Sequence, residues 1–144
     1  MSSYADTSFL ISLYTPDANS LTAESILSKR TNLLLTPFGE FEFLNAIKLR
    51  VFRREIETTQ ADGSLRAFQD DIEAGFLLRR PPPAIAYERA MLLSRRHTRQ
   101  LGTRGMDILP VAIALELGAD VFYTFDRCQR RLARTAGLTV RPVH

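Results

Sequence analysis

Thr103-Arg104-Gly105-Met106-Asp107-Ile108-Leu109, a helical run to Gly118, and then Val121-Phe122-Tyr123-Thr124-Phe125-Asp126 form the stretch whose reading decides the fold. Asp107 is expected to open the helix that Gly118 closes, and Asp126 lies just past a short apolar strand, Val121–Thr124. The beginning of the chain has the same arrangement. Tyr4-Ala5-Asp6-Thr7-Ser8 carries a strand over residues 3–6 into a helix that starts with Phe9-Leu10-Ile11 and runs to about Tyr14. Carboxylates at strand ends and helix starts in an α/β chain converge on one rim of the sheet, the usual place for a ligand or metal site.

Working outward, Thr15-Pro16-Asp17 breaks the first helix and a second is expected over Ser20–Lys29. Leu33-Leu34-Leu35-Thr36 reads as a buried strand, and Pro37 precedes a long helix with Phe41, Leu44, Ile47 (or Lys48) and Val51 spaced for an apolar face. Asp62-Gly63-Ser64 reads as a turn before a helix over residues 65–77, and Pro81-Pro82-Pro83 ends what precedes it. A helix over Ala84–Gln100 stops at Gly102. The last elements are a helix over Arg127–Ala136 and a strand over Leu138–Arg141. Strands alternating with helices imply a parallel sheet covered on both faces, and no repeat or linker divides residues 1–144, so one domain is expected.

The chain has 144 residues, enough to bury one core. Its single cysteine, Cys128, excludes an internal disulfide and a cysteine-based zinc site. No stretch approaches the roughly 20 apolar residues of a membrane span, and Met1-Ser2-Ser3-Tyr4 lacks the basic segment of a signal peptide. A cytoplasmic protein without membrane contact is the expectation. Of 19 basic residues only Lys29 and Lys48 are lysines, leaving 17 arginines. Arginine forks suit phosphate, but a GC-rich genome also raises arginine content, so the count assigns no RNA role.

Each aspartate has a plain structural reading as a helix cap: Asp6 for the first helix, Asp107 and Asp126 for the last two long ones. Three such positions on one rim make a shared acidic site the better reading. A fourth carboxylate comes from Gly39-Glu40-Phe41-Glu42-Phe43-Leu44-Asn45. Glu42 shares a helix face with Asn45 and points toward Asp6, whereas Glu40 is rotated away and stands as the fallback. Two unit charges about 4 Å apart repel by roughly 4 kcal/mol at an effective dielectric near 20. Such a cluster raises its pKa values or binds a hard cation, and oxygen-only ligands select Mg²⁺ or Mn²⁺. The cation would hold a phosphodiester and activate the attacking water.

Asp6-Thr7-Ser8, Thr36-Pro37 followed by Glu42-Phe43-Leu44-Asn45-Ala46-Ile47, Gly102-Thr103-Arg104-Gly105-Met106-Asp107, and Thr124-Phe125-Asp126-Arg127 together resemble the PIN domain, in particular the VapC-type toxins of bacterial toxin–antitoxin pairs. The resemblance runs from about Tyr4 to Leu138 and rests on the order and spacing of the motifs. It implies a three-layer α/β/α fold with a central parallel sheet and a Mg²⁺- or Mn²⁺-dependent ribonuclease. Asp6, Glu42, Asp107 and Asp126 match the family's acidic quartet, Thr124 its hydroxyl position, and Thr7 and Asn45 its supporting polar positions. A homodimer silenced by a small antitoxin protein is implied as well. Pro110 departs from the pattern, where close relatives often carry histidine, and is read here as a first-turn proline.

Other phosphoryl-transfer folds do not fit. Asp6 is followed by Thr7-Ser8-Phe9 rather than a second aspartate, no lysine follows Lys48, and there is no glycine-rich phosphate loop. The remaining alternative is a catalytically silent module that uses the same groove to bind RNA or protein.

Overall fold

The structure is a computed structural model that describes residues 2–27 and 32–143. Five short strands, β1 (Ser3–Ala5), β2 (Leu33–Leu35), β3 (Leu77–Arg79), β4 (Val121–Tyr123) and β5 (Thr139–Arg141), form one sheet in the order β3-β2-β1-β4-β5. Every neighbouring pair is parallel, with Ser3 opposite both Leu33 and Val121. The strand order reverses direction between β1 and β4, so a crevice opens beyond the carboxyl ends of those two strands.

Alternation along the strands splits the core in two. Tyr4, Leu34, Phe122 and Val140 point to one face, where α5 (Ala86–Leu93), α7 (Gly105–Glu116) and α8 (Arg127–Thr135) pack on them. Ala5, Leu33, Leu35, Leu77 and Tyr123 point to the other, covered by α1 (Thr7–Tyr14), α2 (Ser20–Leu27), α3 (Pro37–Phe52) and α4 (Thr58–Glu73). This is the expected three-layer α/β/α architecture. Among the described residues no helix is long and apolar enough to cross a membrane.

Four local expectations are corrected. Gly63 makes no turn: α4 runs unbroken through it, because Ala61, Ser64 and Phe68 form a buried stripe at helical spacing. That helix ends at Gly75, whose φ of +80° lets Phe76 N–H reach the Asp71 carbonyl at 2.9 Å and Gly75 N–H the Ile72 carbonyl at 3.1 Å. Leu77, expected as the last residue of that helix, instead opens β3. On α3 the buried face is Gly39, Phe43 and Ile47, while Phe41 and Leu44 face solvent. The expected helix over 84–100 is interrupted by a π-helical segment, Ser94–Thr98, before the short α6 (Arg99–Leu101) ends at Gly102 with φ +65°. The expected end of the second helix at Lys29 lies outside the described residues.

Phe43 is fully buried, stacks on Phe68 at 4.1 Å and meets the edge of Tyr14 at 5.7 Å, joining α1, α3 and α4. Phe43→Ala should therefore lower the unfolding free energy by about 3–5 kcal/mol, read as a drop in the urea midpoint with an unchanged slope. A loss below about 1 kcal/mol would mean the three helices do not depend on this contact.

Candidate active site

The crevice at the β1/β4 switch point is a cleft of about 180 Å³ lined by Asp6, Glu42, Asp107 and Asp126 together with Thr7, Ser8, Arg104, Met106 and Gln129. Each carboxylate arrives from a different segment, and local structure fixes each one.

Asp6 follows β1 and is the N-cap of α1. Its Oδ1 accepts from Phe9 N–H at 2.9 Å and from the Ser8 hydroxyl at 2.6 Å, and its Oδ2 accepts from the Thr124 hydroxyl. The same Thr124 oxygen accepts from Asp126 N–H at 2.9 Å, so one hydroxyl links the ends of β1 and β4. Asp126 is the N-cap of α8, with Oδ1 accepting from Gln129 N–H at 2.8 Å. Glu42 stands in the second turn of α3, where the Thr7 hydroxyl donates to Oε1 at 2.8 Å.

Asp107 does not open its helix. The helix begins at Gly105, and Asp107 is its third residue, where Oδ2 accepts from Arg104 N–H at 3.0 Å and approaches Arg104 Nε at 3.5 Å. The earlier start also moves Pro110 past the first turn. A proline there cannot donate to the carbonyl four residues back, that of Met106. The Gln129 side chain takes over, donating to the Met106 carbonyl at 3.4 Å and the Asp107 carbonyl at 3.2 Å. Gln129 thus ties the start of α7 to α8 and fixes Asp107 relative to Asp126.

Burial pushes the Asp6 carboxyl up to about 6, and the Asp126 charge adds to the rise while the bonds from Ser8, Thr124 and Phe9 oppose it. Glu42 is raised by burial, with the Asp107 charge adding and the Thr7 bond opposing. The carboxylates therefore act as two facing pairs, Asp6 with Asp126 and Glu42 with Asp107. Arg104 is the one basic side chain in the lining, and its side chain is 83% exposed.

The donor set suits a hard divalent cation. Asp107 Oδ1, Asp126 Oδ2 and Glu42 Oε2 have no hydrogen-bond partner among the described residues, and none is a sealed-off buried atom, so each stays open to the cleft. Among the described residues no three His, Cys, Asp or Glu side chains stand close enough together to hold a metal ion as they are placed.

The fallback carboxylate Glu40 is turned away, accepting from Arg79 Nη2 at 2.5 Å and Arg79 Nε at 3.2 Å. Asn45 is exposed and outside the cleft lining. Ser8, Arg104 and Gln129 were not singled out in the sequence. A hydroxyl two residues after a capping aspartate is a readable signal for Ser8; Gln129 has none, since its partner carbonyls lie in another helix.

With that geometry in place, the family follows. The chain belongs to the PIN domain family, whose model matches residues 3–135. No curated protein sequence matches it. Among solved structures it is similar to VapC20 of Mycobacterium tuberculosis, a sarcin–ricin loop cleaving toxin, at 19% identity and a TM-score of 0.67 over 95% of this chain and 96% of that one. It is also similar to VapBC2 of Rickettsia felis bound to a DNA fragment from their promoter, at 17% identity, TM-score 0.64 and 97% of both chains. A third likeness is to FitAcB of Neisseria gonorrhoeae, at 15% identity, TM-score 0.64, over 96% of this chain and 95% of that one. These identities establish the shared fold.

The raised Asp6 carboxyl makes a signed prediction. Its folded value, about 6, lies above its ordinary value of 3.8. Between the two the folded state holds more protons, so the stability that Asp6 contributes is greatest below pH 4 and is lost as pH rises through 6. The full loss is on the order of 2–3 kcal/mol. Asp6→Asn keeps a capping oxygen without the charge. In EDTA its urea midpoint should vary less between pH 4.5 and 7 than the wild type's and exceed it at pH 7.5. Parallel curves for the two proteins would refute a buried charge at Asp6.

Proposed function

We propose that this protein is a metal-dependent endoribonuclease and the toxin of a type II toxin–antitoxin pair. The observation that carries the reading is the meeting of Asp6, Glu42, Asp107 and Asp126 in one cleft at the switch point of the sheet. A scaffold has no use for four carboxylates gathered in one cleft; a site for Mg²⁺ or Mn²⁺ does. The family membership and the fold shared with VapC20, VapBC2 and FitAcB support the same reading.

In this mechanism Asp6, Glu42, Asp107 and Asp126 hold the cation. When bound, it neutralises the phosphodiester and lowers the pKa of the attacking water. Asp6 is held by Ser8 and Thr124, so its carboxylate does not rotate during the reaction. Thr7 orients Glu42, and Gln129 sets the spacing of Asp107 and Asp126. In-line attack by water leaves a 5′-phosphate and a 3′-hydroxyl. The partners that go with this role are an RNA substrate, a small antitoxin protein that covers the cleft, and a second copy of the chain in a homodimer; the setting is the cytoplasm. Asn45 is proposed as a supporting polar residue that acts once RNA is bound.

The test is cleavage of purified bacterial RNA with Mn²⁺ or Mg²⁺, against EDTA. Asp6→Ala should abolish cutting, and Thr124→Val, which removes the hydroxyl link but no carboxylate, should slow it about 10–100-fold. Cutting in EDTA, or undiminished in Asp6→Ala, would refute the mechanism. Metal-independent RNA binding that survives Asp107→Asn, without any cutting, would favour the silent module.

A further inference from the structure

We propose that a single strand of RNA runs from the acidic cleft along an adjoining basic track, its phosphates held by Arg53 and Arg127 and a base stacked on Phe125. The inference rests on the polynucleotide substrate proposed above and names the surface that would grip it.

Two hollows continue the cleft. The first, about 440 Å³, shares Ser8 with the cleft and carries Arg50, Arg53 and Phe125. The second, about 390 Å³, shares Asn19 and Phe125 with the first and carries Arg127, Arg130 and Arg134. The shared lining residues set the three cavities side by side, with Phe125 at the join of the outer two.

The charge along these cavities passes from acidic in the cleft, through balanced in the first hollow, to basic in the second. In the first hollow Asp17 and Glu55 lie 3.8 and 3.7 Å from Arg50, and the Arg53 side chain is exposed and makes no hydrogen bond or ion pair among the described residues. Among the described residues no carboxylate lines the second hollow. Arg127, Arg130 and Arg134 recur at helical spacing on one face of α8. Arg130 donates to the Thr124 and Pro142 carbonyls and Arg134 to the Val143 carbonyl, none of which is an acid. Neither side chain forms an ion pair among the described residues, and burial together with Arg134 lowers the proton affinity of Arg130 while the Asp6 charge opposes the fall. Arg127 is exposed and has no partner among the described residues.

Phe125 supplies the second element of a single-strand site. One face stacks on Phe9 at 5.3 Å and 14°, which fixes the ring, and the half-buried remainder lines both hollows. A fixed aromatic ring among unpaired arginines is how proteins hold single strands without reading their sequence. The backbone on either side of Phe125 is the one that carries Thr124 and Asp126. A base stacked there therefore brings its neighbouring phosphate to the carboxylates.

The test uses a fluorescein-labelled single-stranded RNA of about 20 nucleotides, titrated in Ca²⁺ and followed by anisotropy over a range of salt. Arg53→Glu with Arg127→Glu should weaken binding about tenfold or more at 50 mM salt and flatten the salt slope by about 1.4, the share of two phosphate contacts. Both positions are exposed, so the fold should survive, which circular dichroism checks. A charge-matched control, Arg95→Glu with Arg96→Glu, changes arginines that line none of these cavities and should bind within about twofold of wild type. Equal weakening in the control, undiminished binding by the track variant, or no binding by the wild type would each overturn the proposal. Wild-type protein that binds through the track but cuts no RNA in Mn²⁺ would overturn the nuclease reading and leave the track standing.

Discussion

The constraint on which the rest depends is the buried Asp6 carboxylate and the Thr124 hydroxyl that reaches it across the junction of β1 and β4. A carboxylate that is 3% exposed is costly unless donors surround it. Here the donors come from both sides of the switch point: Phe9 N–H and Ser8 from α1, Thr124 from the end of β4. Ser8 also accepts from Phe125 N–H at 3.0 Å, so the two strand ends are laced by two hydroxyls. The network fixes the register of the site and leaves Asp6 with a carboxyl value near 6, poised between proton and cation.

The two halves of the cleft are supported in different ways. Asp6 and Asp126 depend on strand ends, where parallel pairing on both sides of β1 and β4 leaves little freedom. Glu42 and Asp107 depend on helices that must be placed against the sheet. For α3 the anchor is Thr36, which caps Gly39 N–H at 3.2 Å, and the Phe43–Phe68 stack behind it. For α7 it is Gln129, which compensates the carbonyl that Pro110 leaves without a helical donor. The proline inside α7 thus has a structural counterpart on a neighbouring helix.

What was legible in the sequence follows from the range of the interactions. Aspartates after apolar triplets mark strand ends because capping and strand length are local, so Asp6 and Asp126 were readable, as was the alternation that gives a parallel sheet. Strand β3 was not, because Leu77-Leu78 continues an apolar helical pattern and only the left-handed Gly75 separates them. Gly63 looked like a turn, yet packing of Ala61, Ser64 and Phe68 against neighbouring elements outweighs the glycine's cost of about 1 kcal/mol in a helix. The buried face of α3 was misread because apolar residues lie on both sides of it, and only the sheet decides which side is inside. Gln129 was invisible because its role is defined by a proline 19 positions away.

The helix-cap reading and the metal-site reading of the aspartates are usually set against each other, but here they use the same carboxylates through different oxygens. A cap uses one carboxylate oxygen and fixes the other. Asp126 spends Oδ1 on Gln129 N–H and leaves Oδ2; Asp107 spends Oδ2 on Arg104 N–H and leaves Oδ1; Glu42 gives Oε1 to Thr7 and leaves Oε2. Each remaining oxygen is aimed by a bond that also stabilises a helix start or a helix–helix contact, so orienting the proposed ligands adds little to the cost of folding. Asp6 differs in spending both oxygens, and it is the deeply buried member. Its oxygens still have lone pairs left for a cation, and the donors that hold it keep the anion available near neutral pH. The function proposed for this cleft thus draws on the capacity left over after the fold has been satisfied.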